Sequence, residues 1–147
     1  MKKTKYSWKQ FDKDVETLTR KIKRSQYKPA TLIALARGGL CLGTKLSHSL
    51  KQPLMIVSAK TYNDSKQQVN TVLLNSSYTV PLKSPILICD EIADTGKTLR
   101  IVVDHFKLLG VDIKTATLLY KERSIVKPDF YAKETPNDTW IVFPWEE

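Results

Sequence analysis

The stretch ILICDEIADTGKTLR, residues 86 to 100, limits what this chain can fold into more than any other part of it. Ile86, Leu87, Ile88 and Cys89 form an unbroken apolar run, the pattern of a short strand buried on both faces. Asp90, Glu91 and Asp94 follow at once, then Thr95, Gly96, Lys97 and Thr98, after which apolar residues return at helical spacing. A buried strand that passes through a polar glycine turn into a helix is the first half of a β-α-β unit. Such units build parallel sheets with helices on both faces.

The rest of the chain repeats this alternation. Ser7 followed by Gln10 fits a reciprocal helix cap, and Trp8, Phe11, Val15, Leu18 and Ile22 recur at steps of three and four, which predicts an amphipathic helix ending near Ser25. Thr31 to Ala36 reads as a strand broken by Arg37-Gly38-Gly39, with Leu40, Gly43, Leu46 and Leu50 on the helix that follows. Leu54 to Ala59 is a further strand. From Lys60 to Ser84 the chain turns polar, with one weak alternation from Val69 to Leu74, and reads as a mobile excursion or hairpin covering a site. After the strand at Ile86 to Asp90, the spacing predicts a helix over Thr98 to Leu109 with Ile101, Val102, His105, Phe106 and Leu109 inward and Gly110 closing it. Thr115 to Tyr120, Phe130-Tyr131 and Trp140 to Phe143 are strand-like. The expectation is one α/β domain over residues 1 to 147, a central, mostly parallel sheet flanked by helices. Ligands of such sheets bind at the carboxyl ends of the strands, where both glycine turns fall.

The acidic turn narrows the chemistry. Gly96-Lys97-Thr98 looks like the end of a triphosphate-binding G-x-x-x-x-G-K-[ST] loop, but Glu91 stands where the upstream glycine should be and would repel a triphosphate. Thr95, Gly96, Lys97 and Thr98 still open a helix whose unpaired N–H groups, hydroxyls and partial positive charge suit one phosphate. Asp90 and Glu91 suit vicinal hydroxyls, and can attract Mg²⁺ directly or through water. Asp94 lies nearer the turn and the reacting carbon of a bound sugar. A phosphorylated ribose satisfies both halves.

Cys89-Asp90-Glu91-Ile92-Ala93-Asp94-Thr95-Gly96-Lys97-Thr98 resembles the phosphoribosyl-pyrophosphate signature of the type I phosphoribosyltransferases. The resemblance implies that family's fold, with a small hood and a mobile loop. Residues 60 to 80 would form the lid and residues 120 to 147 the base-binding hood. Asp90, Glu91, Ala93, Asp94, Thr95, Gly96, Lys97 and Thr98 would hold the ribose 5′-phosphate, with Asp90 and Glu91 as the metal-facing acids. Arg37-Gly38-Gly39 looks like the family's pyrophosphate loop, where small residues let backbone amides approach the leaving group. TLLYK and DTWIVFPWEE look like the xanthine-guanine branch, which implies that Lys121, Trp140, Ile141 and Glu146 serve the purine base. A lysine there selects an oxygen acceptor, hence 6-oxopurines over adenine, and Trp140 offers a stacking face. Trp145 is read as packing. The implied reaction moves a phosphoribosyl group from phosphoribosyl pyrophosphate to guanine, xanthine or hypoxanthine with Mg²⁺, Asp94 acting as proton acceptor. Two departures stand out: the family commonly has a second aspartate at Glu91 and a small residue at Lys97.

The net charge of +9 raises a rival reading, a ligand sensor that binds nucleic acid through a basic helix. Residues 1–28 carry ten Lys/Arg against three Asp/Glu, and the remainder fourteen against twelve, so the excess is N-terminal. A leading helix of this kind is usually a solvated face, and Lys121 and Trp140 keep the base contacts a sensor would lose; nucleic acid is not the expected partner. A transferase for a pyrimidine base is disfavoured by the Trp140-to-Glu146 terminus. Cys41 and Cys89 form no metal or disulfide pattern, and His48 and His105 have no partners at useful spacing. With neither an apolar leader nor a bilayer-length run, the chain is expected in the cytoplasm, as a homodimer or homotetramer.

Overall fold

In the computed structural model, which describes residues 1–61, 72–76 and 82–147, eight strands and three helices alternate: β1 (Lys2–Lys5), α1 (Trp8–Arg24), β2 (Thr31–Ala36), α2 (Leu40–Leu50), β3 (Leu54–Thr61), β4 (Val72–Ser76), β5 (Ile86–Ala93), α3 (Lys97–Leu108), β6 (Ile113–Tyr120), β7 (Phe130–Glu134) and β8 (Thr139–Val142). A short 3-10 turn at Pro144–Glu146 ends the chain. The central sheet has the order β4-β3-β2-β5-β6-β7, parallel throughout except for the antiparallel edge strand β4. β4 on β3 is the described part of the excursion expected after Ala59; residues 62–71 and 77–81, and with them most of the expected lid, lie outside the described residues.

The alternation of a strand sorts its side chains onto two faces. Leu32, Leu87, Cys89, Ala116 and Leu118 join Phe11, Val15, Leu18 and Ile22 of α1 and Leu42 and Leu46 of α2 in one core. Ile33, Leu35, Met55, Val57, Ile86 and Ile88 join Leu99, Val102, Val103 and Phe106 of α3 in the other. This double covering explains why the strands read as continuous apolar runs. Helix α1 starts as expected: Gln10 N–H donates to Ser7 Oγ at 3.1 Å and Ser7 N–H to Gln10 Oε1 at 2.8 Å.

Three expectations need correction. Helix α3 begins at Lys97, and its inward stripe is Leu99, Val102, Val103 and Phe106. Ile101 and His105 lie on the neighbouring ridge and are half-buried, while Leu109 is 55% exposed. Strand β5 does not stop at Asp90. It runs on to Ala93, paired with β6 at Ile92↔Leu119 and Ala93↔Tyr120, whereas its pairing with β2 ends at Ala34↔Cys89. The third is β1, which carries four exposed polar residues and no apolar signal, yet pairs parallel with β8 in a separate two-stranded sheet.

The five parallel strands follow the order second, first, third, fourth, fifth, so the chain reverses direction across the sheet between β2 and β5. At such a switch point the connections leave on opposite sides and a crevice opens beyond the strand ends. Here it opens where β2 and β5 stop pairing, immediately before Asp90.

Candidate active site

Two glycine turns line this crevice. After β2 come Arg37, Gly38 and Gly39, reached through a cis peptide bond at Ala36–Arg37. Gly38 lies against the Glu91 carboxylate so closely that a Cβ at this position would overlap it. That carboxylate can swing aside, whereas a Cβ at Gly39 would overlap the Cys89 and Leu35 backbone carbonyls, so space requires glycine at Gly39. After β5, Gly96 adopts φ +76°, in the left-handed region glycine favours, and starts α3 with no side-chain cap. The first turn of α3, whose Lys97 N–H donates a long bond to Thr95 Oγ1 at 3.4 Å, borders a pocket of about 110 Å³ lined by Asp90, Ile92, Asp94, Thr95, Gly96, Lys97, Thr98 and Leu99.

Asp90 and Glu91 line different cavities. As neighbours on a strand, Asp90 and Glu91 project to opposite sides. Asp90 lines the small pocket of the helix start, and Glu91 lines a larger cavity of about 470 Å³ with Arg37, Gly38, Trp145 and Glu146. Glu91 N–H donates to Asp90 Oδ1 at 2.9 Å. Burial pushes the Asp90 carboxyl well above the usual carboxylate range, the hydrogen bond and charge of the Glu91 side chain push it the same way, and the Glu91 backbone N–H opposes them. These two carboxylates are hard oxygen donors, and no cluster of three or more His, Cys, Asp or Glu that could hold a metal exists among the described residues. That donor set fits Mg²⁺ in its usual form, held through one or two carboxylates with substrate oxygens and water supplying the rest.

The purine-side residues come from three separate segments. Lys121 directly follows β6 and is 1% exposed. Its ammonium donates to the Thr139 carbonyl at 2.7 Å and to Asp94 Oδ2 at 3.2 Å, so a buried charge joins the turn after β5 to the first residue of β8. A cation so deeply buried needs an anionic partner, and Asp94 is it. Trp140, next on β8, leaves 52% of its surface open. Asp138 and Val142 turn their carbonyls toward β1, accepting from Lys2 N–H at 3.3 Å and Tyr6 N–H at 2.9 Å. By strand alternation the carbonyls of Thr139 and Ile141 share the other edge, the one at which Lys121 lies. Glu146 Oε2 accepts from Phe143 N–H at 2.9 Å, which occupies its side chain in a local turn while the residue lines the larger cavity.

Sequence reasoning missed three contributors. Arg123 donates through Nε to Asp94 Oδ1 at 2.7 Å and through Nη2 to the same oxygen. Its only sequence signal is its place two residues after Lys121. Trp145, read as packing, does stack on Phe143 with ring centroids 4.9 Å apart, and it also lines the larger cavity, its buried indole N–H unpartnered among the described residues. Strand β1 braces the outer edge of β8.

A doubly wound α/β sheet with a glycine-lined crevice and an acidic turn at its switch point defines a class of nucleotide-handling enzymes. The phosphoribosyl transferase domain family matches residues 6–147, and the chain belongs to it: it is a type I phosphoribosyltransferase, a transferase enzyme. A purine phosphoribosyltransferase from Pyrococcus horikoshii Ot3 is 38% identical, superposes with a TM-score of 0.85, and is matched over 100% of this chain and 96% of its own. The xanthine-guanine-hypoxanthine phosphoribosyltransferase of Helicobacter pylori is 27% identical, with a TM-score of 0.83 over 98% of this chain and 94% of that one. A hypoxanthine-guanine phosphoribosyltransferase from Bacillus anthracis shares the fold at 23% identity and a TM-score of 0.71, over 90% and 81% of the two chains. No helix among the described residues is long and apolar enough to cross a membrane.

Proposed function

We propose that the protein transfers the 5-phosphoribosyl group of phosphoribosyl pyrophosphate to a 6-oxopurine, giving a nucleoside 5′-monophosphate and pyrophosphate in purine salvage. The observation that carries this reading is the chain of contacts from Asp94 through Lys121 to Thr139, which ties the phosphate-binding turn to the strand bearing Trp140. Residues 1–147 act in it as one domain, with residues 120–147 as the hood over the base. The purine substrates of the Pyrococcus and Helicobacter relatives agree with this assignment.

Thr95, Gly96, Lys97 and Thr98 hold the 5′-phosphate at the start of α3. Ala93 and Asp94 shape the approach to it, Asp90 and Glu91 receive the ribose hydroxyls from the two sides of β5, and the turn of Arg37, Gly38 and Gly39 receives the pyrophosphate. Asp90 and Glu91, directly or through water, would hold Mg²⁺, which would supply positive charge for the departing pyrophosphate. The bond from the anomeric carbon to the pyrophosphate oxygen breaks, its electron pair leaving with the oxygen. A ring nitrogen of the base forms the new bond, and the imidazole N–H proton passes to Asp94. Fixing both partners in line removes much of the entropic barrier. Lys121 donates to the 6-oxo group, Trp140 stacks on the ring, and the carbonyls near Ile141 and Glu146 address the exocyclic 2-position.

A steady-state screen of guanine, xanthine, hypoxanthine, adenine and uracil with phosphoribosyl pyrophosphate and Mg²⁺ tests the reading. Transfer to at least one 6-oxopurine, with adenine disfavoured on the order of 10⁴-fold in kcat/KM, is the expected result for a site built to donate to an oxygen. Preference for adenine or uracil, or absence of transfer to every base, would overturn it.

A further inference from the structure

We infer that Arg123 is a positioning residue that decides which oxygen of Asp94 receives the proton from the base; this rests on the transferase reading above. Each carboxylate oxygen has two lone-pair sites. On Asp94, Oδ1 accepts from both Nε and Nη2 of Arg123 and is filled, whereas Oδ2 accepts only from Lys121 Nζ, at 3.2 Å. Among the described residues, one acceptor site on Oδ2 stays open.

The same count applies to Lys121. Its ammonium has three donors. One goes to Asp94 Oδ2 and one to the Thr139 carbonyl, so among the described residues one remains. An open acceptor and an open donor therefore stand side by side. The ligand edge that matches them has an N–H next to a carbonyl oxygen, as the imidazole N–H of a 6-oxopurine lies next to its 6-oxo group.

Without Arg123 this pairing loses its anchor. The carboxylate could turn about its terminal bond and present either oxygen to solvent, to Lys121 or to the base. Arg123 is suited to prevent that, because two donors of its rigid guanidinium converge on Oδ1 and hold that oxygen, which leaves Oδ2 as the one turned to Lys121 and the base. The turn carrying it is anchored at both ends of the site. Arg123 N–H donates to Asn137 Oδ1 at 3.2 Å on the hood side, and Ile125 N–H donates to the Thr95 carbonyl at 2.9 Å on the phosphate side.

The test compares the wild-type chain with Arg123→Ala, Arg123→Lys, Asp94→Asn and the Arg123→Ala/Asp94→Asn double variant, assayed with guanine and phosphoribosyl pyrophosphate. Loss of a charged hydrogen-bonding partner should lower kcat for Arg123→Ala roughly 10- to 100-fold, with KM for phosphoribosyl pyrophosphate unchanged. Arg123→Lys should stay impaired, added guanidinium ion should restore part of the Arg123→Ala rate, and the Arg123→Ala loss should vanish in the Asp94→Asn background. Wild-type kcat in Arg123→Ala, full activity in Arg123→Lys, or a loss that is undiminished in the Asp94→Asn background would overturn the role while leaving the transferase reading intact. A wild-type chain that transfers to no purine would overturn both.

Discussion

Ten consecutive residues, Asp90 to Leu99, make one half of the crevice, whereas the other half draws on Lys121, Arg123, Thr139, Trp140 and Trp145, with β1 behind them. The first half is built by local rules. A strand end, a glycine at φ +76° and a helix start follow one another in the chain, so nearly all of the phosphate cradle comes from one window, with Ile125 N–H bracing the Thr95 carbonyl. The second half exists only when β6, β8 and the turn between β6 and β7 are packed in place. Its internal bond is the buried Lys121 ammonium, which reaches back to Asp94. The comparison teaches that Asp94 belongs to both halves, local to the phosphate turn in sequence and held by the base side in space.

Substitutions can break that division. Asp94→Asn should have the largest effect. Loss of a general base lowers turnover by about 10²–10⁴-fold. Thermal stability should also fall, because buried Lys121 loses its counter-charge. Stopped-time assays with purified protein would show low kcat with a near-normal KM for phosphoribosyl pyrophosphate; unchanged turnover would remove Asp94 from the chemistry.

Trp140→Ala touches the remote half alone. Stacking on an aromatic ring is worth about 1–3 kcal/mol per base, so KM for the purine should rise about 5- to 150-fold. KM for phosphoribosyl pyrophosphate should stay put. Equal rises in both constants would mean that the halves are not separable.

Asp90→Asn sharpens the local half, with the smallest effect and an unusual sign. The carboxyl is raised in the folded protein, so its protonated form is favoured there, and stability is lost as pH rises through the folded value. An asparagine avoids that loss. In thermal melts without Mg²⁺, wild type and variant should match near pH 4 and diverge toward about pH 8, the variant melting a few degrees higher, on a scale of about 2–4 °C per kcal/mol for a chain of this length. Activity should fall in the same variant. A lower melting temperature at neutral pH would contradict the assigned burial of the charge.

The same contrast explains what could be read from sequence. The strand-turn-helix at Ile86 to Leu108 was legible because each of its signals, apolar run, acidic pair, glycine and helical spacing, lies within one window. Even there the split of Asp90 from Glu91 was hidden, since it depends on β5 running past the point where β2 leaves it. Lys121 and Trp140 were legible only through resemblance to a family. Arg123 and β1 left no trace, one being an exposed charge in a polar loop and the other an edge strand without a single buried side chain. The inward face of α3 was misread by one ridge because Leu99, Ile101, Val102, Val103, Phe106, Leu108 and Leu109 spread apolar residues over neighbouring stripes, and only packing against the sheet selects one of them.

A crystal structure with guanosine 5′-monophosphate, which spans both halves at once, tests the central claim most directly. The account predicts phosphate oxygens at the amides of Thr95 to Thr98 and the guanine ring between Trp140 and Lys121. Phosphate bound instead among Lys23, Lys28 and Lys51, in the basic groove of about 400 Å³ they help to line, with the crevice at Asp90 empty, would contradict it.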